Sequence, residues 1–212
     1  MAQTVHVVDD DSSFRTAVER RLRQAGYAVA TYPSAQQLLD NLPDENKPGC
    51  ILLDVRMPDL NGSELQDRLA LVGSILPIVF LTGYVDVPTT VRAIKAGAED
   101  FLTKPVSSGQ LLRAIEQAMA HYETSRDAKR KFDALHELLA TLTPRERQVL
   151  DCVVQGKINK QIGQLLGATE RTIKAHRHRV MEKMKVQSVA ELVSLAERLG
   201  ILASADVEGR NS

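Results

Sequence analysis

Acidic side chains, a hydroxyl and an amine follow four short apolar segments of the N-terminal half. The residues concerned are Asp9, Asp10, Asp11, Asp54, Thr82 and Lys104. If the segments are parallel strands, these side chains meet at the carboxyl edge of one sheet, where α/β proteins form their sites. Carboxylates packed this closely repel one another unless a cation lies among them, and an oxygen-rich site suits Mg²⁺. Such a site predicts phosphoryl transfer, with Asp54 as the nucleophile and Thr82 and Lys104 holding phosphoryl oxygens.

Each of these residues also has a purely structural interpretation. Three consecutive aspartates before a helix often supply only an N-cap and a favourable charge for the helix dipole. A threonine at a strand end is usually structural, and a Lys-Pro pair is usually a turn. The placement of all of them at one sheet edge favours the functional interpretation.

The elements that must position these side chains alternate along residues 1–122. Short apolar runs without alternation, which predict strands buried on both faces, lie at 5–8, 28–31, 50–53, 78–81 and 101–103. Segments of helical period lie at 14–24, 35–41, 64–72, 89–96 and 110–122. Five strand-helix repeats predict an α/β fold, a doubly wound parallel (βα)5 sheet of flavodoxin-like type.

A second, all-helical unit is predicted from Thr143. Thr143 as N-cap, Pro144 at the first helical position and Glu146 three residues after the cap form a strong helix start. Further helices are expected near 159–166, 170–184 and 188–199, with Thr169 and Ser188 as caps. Their shared core is expected to contain Ile162, Leu165, Leu166, Ile173, Val180 and Met184.

The second and third of these helices predict a helix-turn-helix. The third carries a basic surface made of Arg171, Lys174, Arg177, His178 and Arg179. A helix of this kind fits the major groove of DNA, with Arg and Lys available for phosphates or guanine edges. A solvated charged face is the alternative, and the near absence of acids between Arg171 and Val180 argues against it.

Between the two units, residues 123–142 are predicted to be a helical linker. Ala128, Phe132, Leu135, Leu139 and Leu142 follow one another at spacings of three and four. Two interpretations stay open: a short coiled coil, or one amphipathic helix docked on a neighbouring domain. The expected organisation is therefore 1–122, 123–142 and 143–203, followed by a flexible tail at 204–212.

Composition limits the class of protein. The formal net charge is zero, yet residues 1–122 carry 15 Asp/Glu against 11 Lys/Arg and residues 143–200 carry 11 Lys/Arg against six Asp/Glu. This asymmetry is typical of a signalling module joined to a polyanion-binding one. Two distant cysteines argue against a disulfide framework or zinc site. No apolar run approaches the ~20 residues of a membrane span, and a cytoplasmic protein is expected.

Residues 1–122 resemble a response-regulator receiver domain. The resemblance lies in Val-Val-Asp-Asp-Asp, Leu-Leu-Asp54-Val-Arg-Met-Pro, Leu-Thr82-Gly and Phe-Leu-Thr-Lys104-Pro105, in family order and at family distances. It implies that Asp10 binds Mg²⁺ directly, that Asp9 acts largely through water, and that Arg56 offers its backbone carbonyl to the metal. It also implies that Thr82 and Phe101 are switch residues and that the Lys104-Pro105 bond is cis. Asp11 is expected to cap the first helix.

Residues 143–200 resemble the LuxR-type DNA-binding domain of the FixJ/NarL class of regulators. The motifs are Leu-Thr-Pro-Arg-Glu-Arg-Gln-Val-Leu, Asn159-Lys160-Gln-Ile, Thr172-Ile-Lys-Ala-His-Arg and Val186-Gln-Ser-Val-Ala-Glu-Leu-Val. The resemblance implies base contacts from Lys174, Ala175 and His178. Backbone contacts are implied for Lys160, Arg171, Thr172 and Arg177. The last helix is the family's usual dimer surface, and Gly163, where the family has Ala, is expected to weaken its helix slightly.

Together these resemblances predict a transcription regulator rather than an enzyme, with only phosphotransfer to Asp54 and its reversal as chemistry. The expected partners are a sensor histidine kinase, promoter DNA, RNA polymerase and, upon phosphorylation, a second copy of the chain. There are two alternatives. A haloacid-dehalogenase-like phosphatase needs a second acid two residues beyond the nucleophile, and that residue is Arg56. A regulator that binds DNA without phosphorylation leaves the acidic pocket without a role.

Overall fold

The computed structural model describes residues 3–83 and 87–201. The chain divides into two compact units, Met1–Asp127 and Ala128–Ser212. The boundary between them falls inside a single long helix. The predicted tail at 204–212 lies outside the described residues. Within the described ranges, no helix combines the length and apolarity that crossing a membrane requires.

The N-terminal unit is a five-stranded parallel sheet with strand order β2-β1-β3-β4-β5. Its strands are β1 Thr4–Val8, β2 Ala28–Tyr32, β3 Gly49–Asp54, β4 Ile78–Thr82 and β5 Asp100–Thr103. Its helices are α1 Ser12–Gln24, α2 Ala35–Asp40, α3 Gly62–Leu71, α4 Val87–Lys95 and α5 Ser108–Ala140. The predicted doubly wound α/β fold is confirmed, and each strand lies within one residue of its predicted bounds.

Burial of the strands follows their position in the sheet. Every residue of β3 and β4 is buried, and so are four of the five residues of β1. The edge strands β2 and β5 are only partly buried, so the prediction of burial on both faces was wrong for them. An edge strand has a neighbour on one side only, and the short apolar runs gave no signal of that difference.

His6 is a histidine in the middle of β1 with little access to water. Its side chain is 9% exposed, and its Nδ1 lies 3.1 Å from the Tyr32 hydroxyl. Burial lowers the pKa of His6 to about 4, because a buried imidazolium loses its hydration. The neutral ring is therefore the form that the folded chain accommodates.

Acidification is expected to destabilise the N-terminal unit through His6. The unfolded chain takes up a proton near its ordinary pKa of 6.5 and the folded chain near 4. The stabilising effect of the neutral His6 ring is therefore fully present above pH 6.5, and the free energy of unfolding falls by about 3 kcal/mol as the pH drops from 6.5 to about 4. All four tyrosines precede residue 128, so urea unfolding followed by tyrosine fluorescence reports this unit. His6→Leu should lose about 3 kcal/mol less over the interval; parallel curves for the two proteins would refute the assignment.

The C-terminal unit contains four short helices around one apolar core. They are α6 Pro144–Val154, α7 Asn159–Leu166, α8 Glu170–Lys183 and α9 Val189–Arg198. The predicted caps Thr143, Thr169 and Ser188 all accept a backbone hydrogen bond from the following turn. Leu165 is 62% exposed, and its predicted place in the core was therefore wrong. The neighbouring Leu166 packs against the core, as predicted.

Glu146 closes the capping box of α6 and is almost fully buried. Its Oε2 accepts hydrogen bonds from Thr143 N at 2.9 Å and from Lys183 Nζ at 2.6 Å. These bonds, with that of Lys183 first, lower the pKa of Glu146 to about 2. Its carboxylate thus ties the start of α6 to the end of α8.

Replacing Glu146 by glutamine should lower the free energy of unfolding of the C-terminal unit by about 2 kcal/mol at pH 7, since a charge-assisted pair and part of a cap are lost. A lowered carboxyl pKa stabilises the fold above the unfolded value of 4.5, and the effect disappears as pH falls towards 2. The difference between the two proteins should therefore vanish near pH 2. Amide hydrogen exchange in α6 and α8 measures the free energy of unfolding of this unit in each protein. Glu197 is exposed, so Glu197→Gln is the control and should not change that free energy.

The last part of α5 belongs to the C-terminal unit. Leu138 and Leu139 of α5, and Leu142 just after it, pack against its core. Phe132 is 47% exposed and its ring lies 4.2 Å from that of His136. The apolar positions between Ala128 and Leu142 therefore do not share one environment.

Candidate functional site

Asp9, Asp54 and Lys104 meet at the carboxyl edge of the sheet. The ammonium of Lys104 lies 2.5 Å from Asp9 Oδ2 and 2.8 Å from Asp54 Oδ1. Asp9 and Asp54 are 1% and 5% exposed. The three residues come from the ends of β1, β3 and β5, and the order of the parallel strands brings them together. The ammonium of Lys104 thus joins two buried carboxylates at this edge of the sheet.

The pKa values of Asp54 and Lys104 are shifted most by burial, and next by the ion pair that the two residues share. Burial raises the pKa of Asp54 above its usual range, while the Lys104 ammonium acts to lower it. Burial lowers the pKa of Lys104, but its hydrogen bonds to Asp54 and Asp9 outweigh that effect and the net direction is upward. Lys104 therefore carries its charge at neutral pH.

The backbone around the pocket is fixed by hydrogen bonds between neighbouring strand ends. Lys104 N donates to Thr82 O at 2.7 Å, and Arg56 N donates to Asp54 Oδ2 at 3.0 Å. Thr82 is 1% exposed. Phe101 on β5 is half-buried, with its ring centroid 5.9 Å from that of Phe80. The Lys104-Pro105 bond is cis, as the resemblance implied.

Gly62, at the start of α3, lies directly against the phosphoacceptor candidate. A Cβ at this position would collide with the Asp54 carbonyl oxygen and lie 3.0 Å from Phe80 Cε1. Gly62 N also donates to Val55 O at 3.0 Å, which holds α3 close to the end of β3. Glycine is required here for close approach.

Gly62→Ala is expected to lower the free energy of unfolding of the N-terminal unit by about 2 kcal/mol, the usual cost of inserting a methyl group into a packed site. Gly109→Ala is the matched control, because Gly109 is exposed in a helix and its Cβ would meet only Arg113 Nη2 at 3.9 Å. That control should be neutral or slightly stabilising. Urea unfolding by tyrosine fluorescence compares them, and equal stabilities would contradict the close approach.

Two residues of the site were not predicted from the sequence. The Phe14 ring lies under the Lys104 ammonium, 4.2 Å from it, and the Arg15 guanidinium donates to the Asp9 carbonyl oxygen. Both stand on the first turn of α1, which begins at the predicted cap Asp11. The only available signal was their distance of three and four residues from that cap, since neither belongs to an acidic or basic motif.

The chemistry of the donors fits a hard divalent cation. The pocket offers buried carboxylate oxygens from Asp9 and Asp54, the exposed Asp10 stands beside them, and Arg56 follows on the same loop. In the described parts of the chain, acidic and other ligand side chains form no ready-made group of three around a metal position. Asp9 and Asp54 share the Lys104 ammonium instead, which shows that the pocket accommodates positive charge.

The helix-turn-helix predicted in the C-terminal unit is formed by α7 and α8. Ile173 and Val180 of α8 are buried. The candidate DNA-contact residues that are exposed are Lys160, Arg171, Thr172, Lys174, Ala175 and His178. Arg177 differs from them, because it is half-buried and donates from Nη1 to Asn159 Oδ1 at 3.0 Å. Arg177 thus links α8 to the start of α7.

Gly163 is a structural requirement rather than a weak point of α7. A Cβ there would lie 2.6 Å from Ala168 O, and Gly163 O accepts a hydrogen bond from Ala168 N at 2.9 Å. Gly167 follows in the left-handed conformation with φ of 62°. The expected weakening of the helix does not describe the whole effect, because the tight turn after α7 leaves no room for a methyl group.

Comparison with known proteins identifies both units. Residues 5–116 match the family described as "Response regulator receiver domain", and residues 140–196 match "Bacterial regulatory proteins, luxR family". Nodulation protein W of Bradyrhizobium diazoefficiens is 41% identical over 201 residues, covering 94% of this chain and 88% of that protein. The transcriptional regulatory protein FixJ of the same organism is 40% identical, covering 93% of this chain and 96% of that protein.

A solved structure is similar over nearly the whole chain. The response regulator StyR superimposes with a TM-score of 0.72 at 44% identity, covering 93% of this chain and all of that one. A receiver domain followed by a LuxR-type domain defines a regulator with a signal-receiving and a DNA-binding part. The chain belongs to the two-component response regulators of the FixJ type. It therefore controls transcription, and its domains imply a sensor kinase and DNA as partners.

Proposed function

We propose that a sensor histidine kinase phosphorylates Asp54 in the presence of Mg²⁺, and that phosphorylation increases binding of the chain to promoter DNA. The observation that carries this proposal is the ion pair of Lys104 with the buried Asp9 and Asp54 carboxylates. A buried carboxylate held beside a fixed ammonium has both the nucleophile and the charge that phosphoryl transfer requires.

In the proposed reaction, an Asp54 carboxylate oxygen forms a bond to phosphorus while the bond between phosphorus and the kinase imidazole nitrogen breaks. Lys104 then pairs with a phosphoryl oxygen, and the Thr82 hydroxyl donates to another. Magnesium would be held by Asp9, Asp10, Asp54 and the Arg56 carbonyl, and when bound it offsets the negative charge of the transferring group. No further substrate is turned over, so the chemistry is confined to Asp54.

Thr82 and Phe101 are proposed to transmit the change as switch residues. Phe101 packs against Phe80 on the strand that ends at Thr82, so movement of the hydroxyl toward a phosphoryl group alters the packing beside the aromatic ring. Receivers act by shifting between two states that phosphorylation biases. The coupling between the two domains is then a free energy measured as a change in DNA affinity.

Phosphorylation is proposed to favour a homodimer that occupies two DNA half-sites. The exposed face of α4 carries Val87, Val91 and Ile94, each at least 46% exposed. This apolar face of α4 is proposed to be covered by a second copy, and α9, where Val189 is 41% exposed, is proposed as the dimer surface of the DNA-binding domain. Contact with RNA polymerase, and action in the cytoplasm where promoter DNA lies, complete the proposal.

DNA recognition is proposed to lie on the exposed face of α8. Lys174, Ala175 and His178 would face base edges, and Lys160, Arg171 and Thr172 would contact the phosphate backbone. Arg177 is proposed as a further backbone contact that must first leave, or share, its bond to Asn159.

The proposed phosphorylation is tested with the purified full-length protein, Mg²⁺ and phosphoramidate as donor. Phosphate-affinity gel electrophoresis should show a slower band that is lost in Asp54→Asn and lost in excess chelator. A surface control, Asp44→Asn, should behave as the unchanged protein because Asp44 lies outside the pocket. A band that persists in Asp54→Asn would overturn the assignment of the phosphoacceptor.

A further inference from the structure

We propose that Phe14 is a positioning residue for Lys104, holding its ammonium toward Asp54 through the face of its ring. The Lys104 Nζ lies 4.2 Å from the ring centroid. The face of an aromatic ring carries negative potential and attracts a cation at this distance. This inference rests on the proposed function, because it assigns a role to Phe14 in the same phosphoryl-transfer site.

The position of Phe14 is fixed by α1. The Asp11 carboxylate caps the helix and accepts a hydrogen bond from Phe14 N at 3.1 Å. The ring is partly buried and packs against the apolar core that includes Val18 and Leu22 of the same helix. The ring is therefore placed by contacts that do not involve Lys104, and it can act as a fixed support for a flexible side chain.

Lys104 needs such a support. Its side chain is 20% exposed and has four rotatable bonds, so an ammonium without fixed neighbours would sample several directions. Asp9 and Asp54 bind the ammonium by hydrogen bonds, while the ring covers another part of its surface without accepting such a bond from it. During transfer the bond to Asp54 must be exchanged for one to a phosphoryl oxygen. The ring contact remains available through that exchange, and it keeps the ammonium near the transferred group.

The test compares Phe14→Leu with Phe14→Tyr in the full-length protein. Leucine keeps an apolar side chain but has no ring, while tyrosine keeps the ring. Phosphorylation by phosphoramidate at saturating Mg²⁺ should slow about fivefold in Phe14→Leu, the size expected for a partly exposed cation–π contact. Phe14→Tyr should restore the rate. Val18→Ala, which removes core packing from the same helix, should unfold more easily but be phosphorylated at the unchanged rate.

A second measurement separates support of Lys104 from packing alone. Protons next to the Lys104 ammonium lie above the Phe14 ring and should show an upfield ring-current shift in the NMR spectrum of the unphosphorylated protein. That shift should be absent in Phe14→Leu and present in Phe14→Tyr and Val18→Ala. Equal phosphorylation rates in Phe14→Leu and the unchanged protein, or an equal loss in Phe14→Tyr, would overturn the inference while leaving the proposed function standing. Failure of the unchanged protein to become phosphorylated on Asp54 would instead overturn the proposed function.

Discussion

Replacing Lys104 by methionine should lower the free energy of unfolding of the receiver domain by about 3 kcal/mol at neutral pH. Methionine preserves most of the stem of the side chain but leaves the Asp9 and Asp54 carboxylates buried without the cation that joins them. Removing one partner of a buried ion pair usually costs about 3–5 kcal/mol, and the partial exposure of Lys104 places the effect at the lower end. Urea unfolding followed by tyrosine fluorescence measures the change.

The loss should depend on pH and on magnesium. Lys104 acts to lower the raised pKa of Asp54, so without the ammonium that pKa rises further, and the deficit of Lys104→Met should shrink as pH falls and Asp54 becomes neutral. Magnesium binds only the folded pocket and should stabilise the variant more than the unchanged protein, since the ammonium no longer competes for the carboxylates. Lys47→Met is the control, because Lys47 forms an exposed pair with Asp44 at 3.6 Å and contributes little. A variant insensitive to magnesium would contradict the proposed ligand set.

Phosphorylation-dependent DNA binding should be lost in Lys104→Met even where Asp54 is still phosphorylated. The proposed role of Lys104 is to pair with a phosphoryl oxygen, so without it the acyl phosphate forms more slowly and, once formed, does not draw the pocket into the second state. The expected result is a phosphorylated band on the gel together with a DNA affinity equal to that of the unphosphorylated variant.

Lys174→Ala should weaken binding to specific DNA by about 1–3 kcal/mol and relax the preference for one base pair. Lys174 is exposed on α8 between the buried Ile173 and the exposed Ala175, so its removal leaves the helix core intact. The measurement is a binding titration against a site that the phosphorylated protein itself selects from random DNA. Variants of that site changed one base pair at a time identify the position that Lys174 reads.

Arg171→Ala gives the contrasting result. A phosphate contact carries no sequence information, so affinity should fall about equally for every site, and the slope of log affinity against log salt should decrease by about one. Arg198→Ala, on the exposed face of α9, controls for the loss of one positive charge from the domain. The assignment of roles would be wrong if Arg171→Ala changed base preference and Lys174→Ala did not.

The sequence predicted the fold well because its signals are local. Apolar strands ended by polar residues, and caps such as Asp11 and Thr143, depend on residues within a few positions of one another. Strand ends of a parallel sheet share one edge, so the sequence predicted that Asp9, Asp54 and Lys104 lie at the same edge, whereas their ion pair was seen only in the structure.

The features that were not predicted depend on contacts between distant residues. Phe14 meets Lys104 across 90 positions of the chain, and no local pattern marks such a pair. Leu165 carries an apolar side chain on an exposed face, which composition and spacing do not distinguish from a core position. Gly163 is required by a turn that closes on it five residues later, so helix propensity alone gave an incomplete account.

A single titration tests whether phosphorylation of Asp54 controls DNA binding. DNA affinity and the fraction phosphorylated are measured on the same samples as phosphoramidate is varied, in the unchanged protein and in Asp54→Asn. Affinity is expected to rise in proportion to the phosphorylated fraction in the first and to stay at its basal value in the second. Equal affinity at every phosphorylated fraction, or an equal rise in Asp54→Asn, would show that the receiver does not control DNA binding through Asp54.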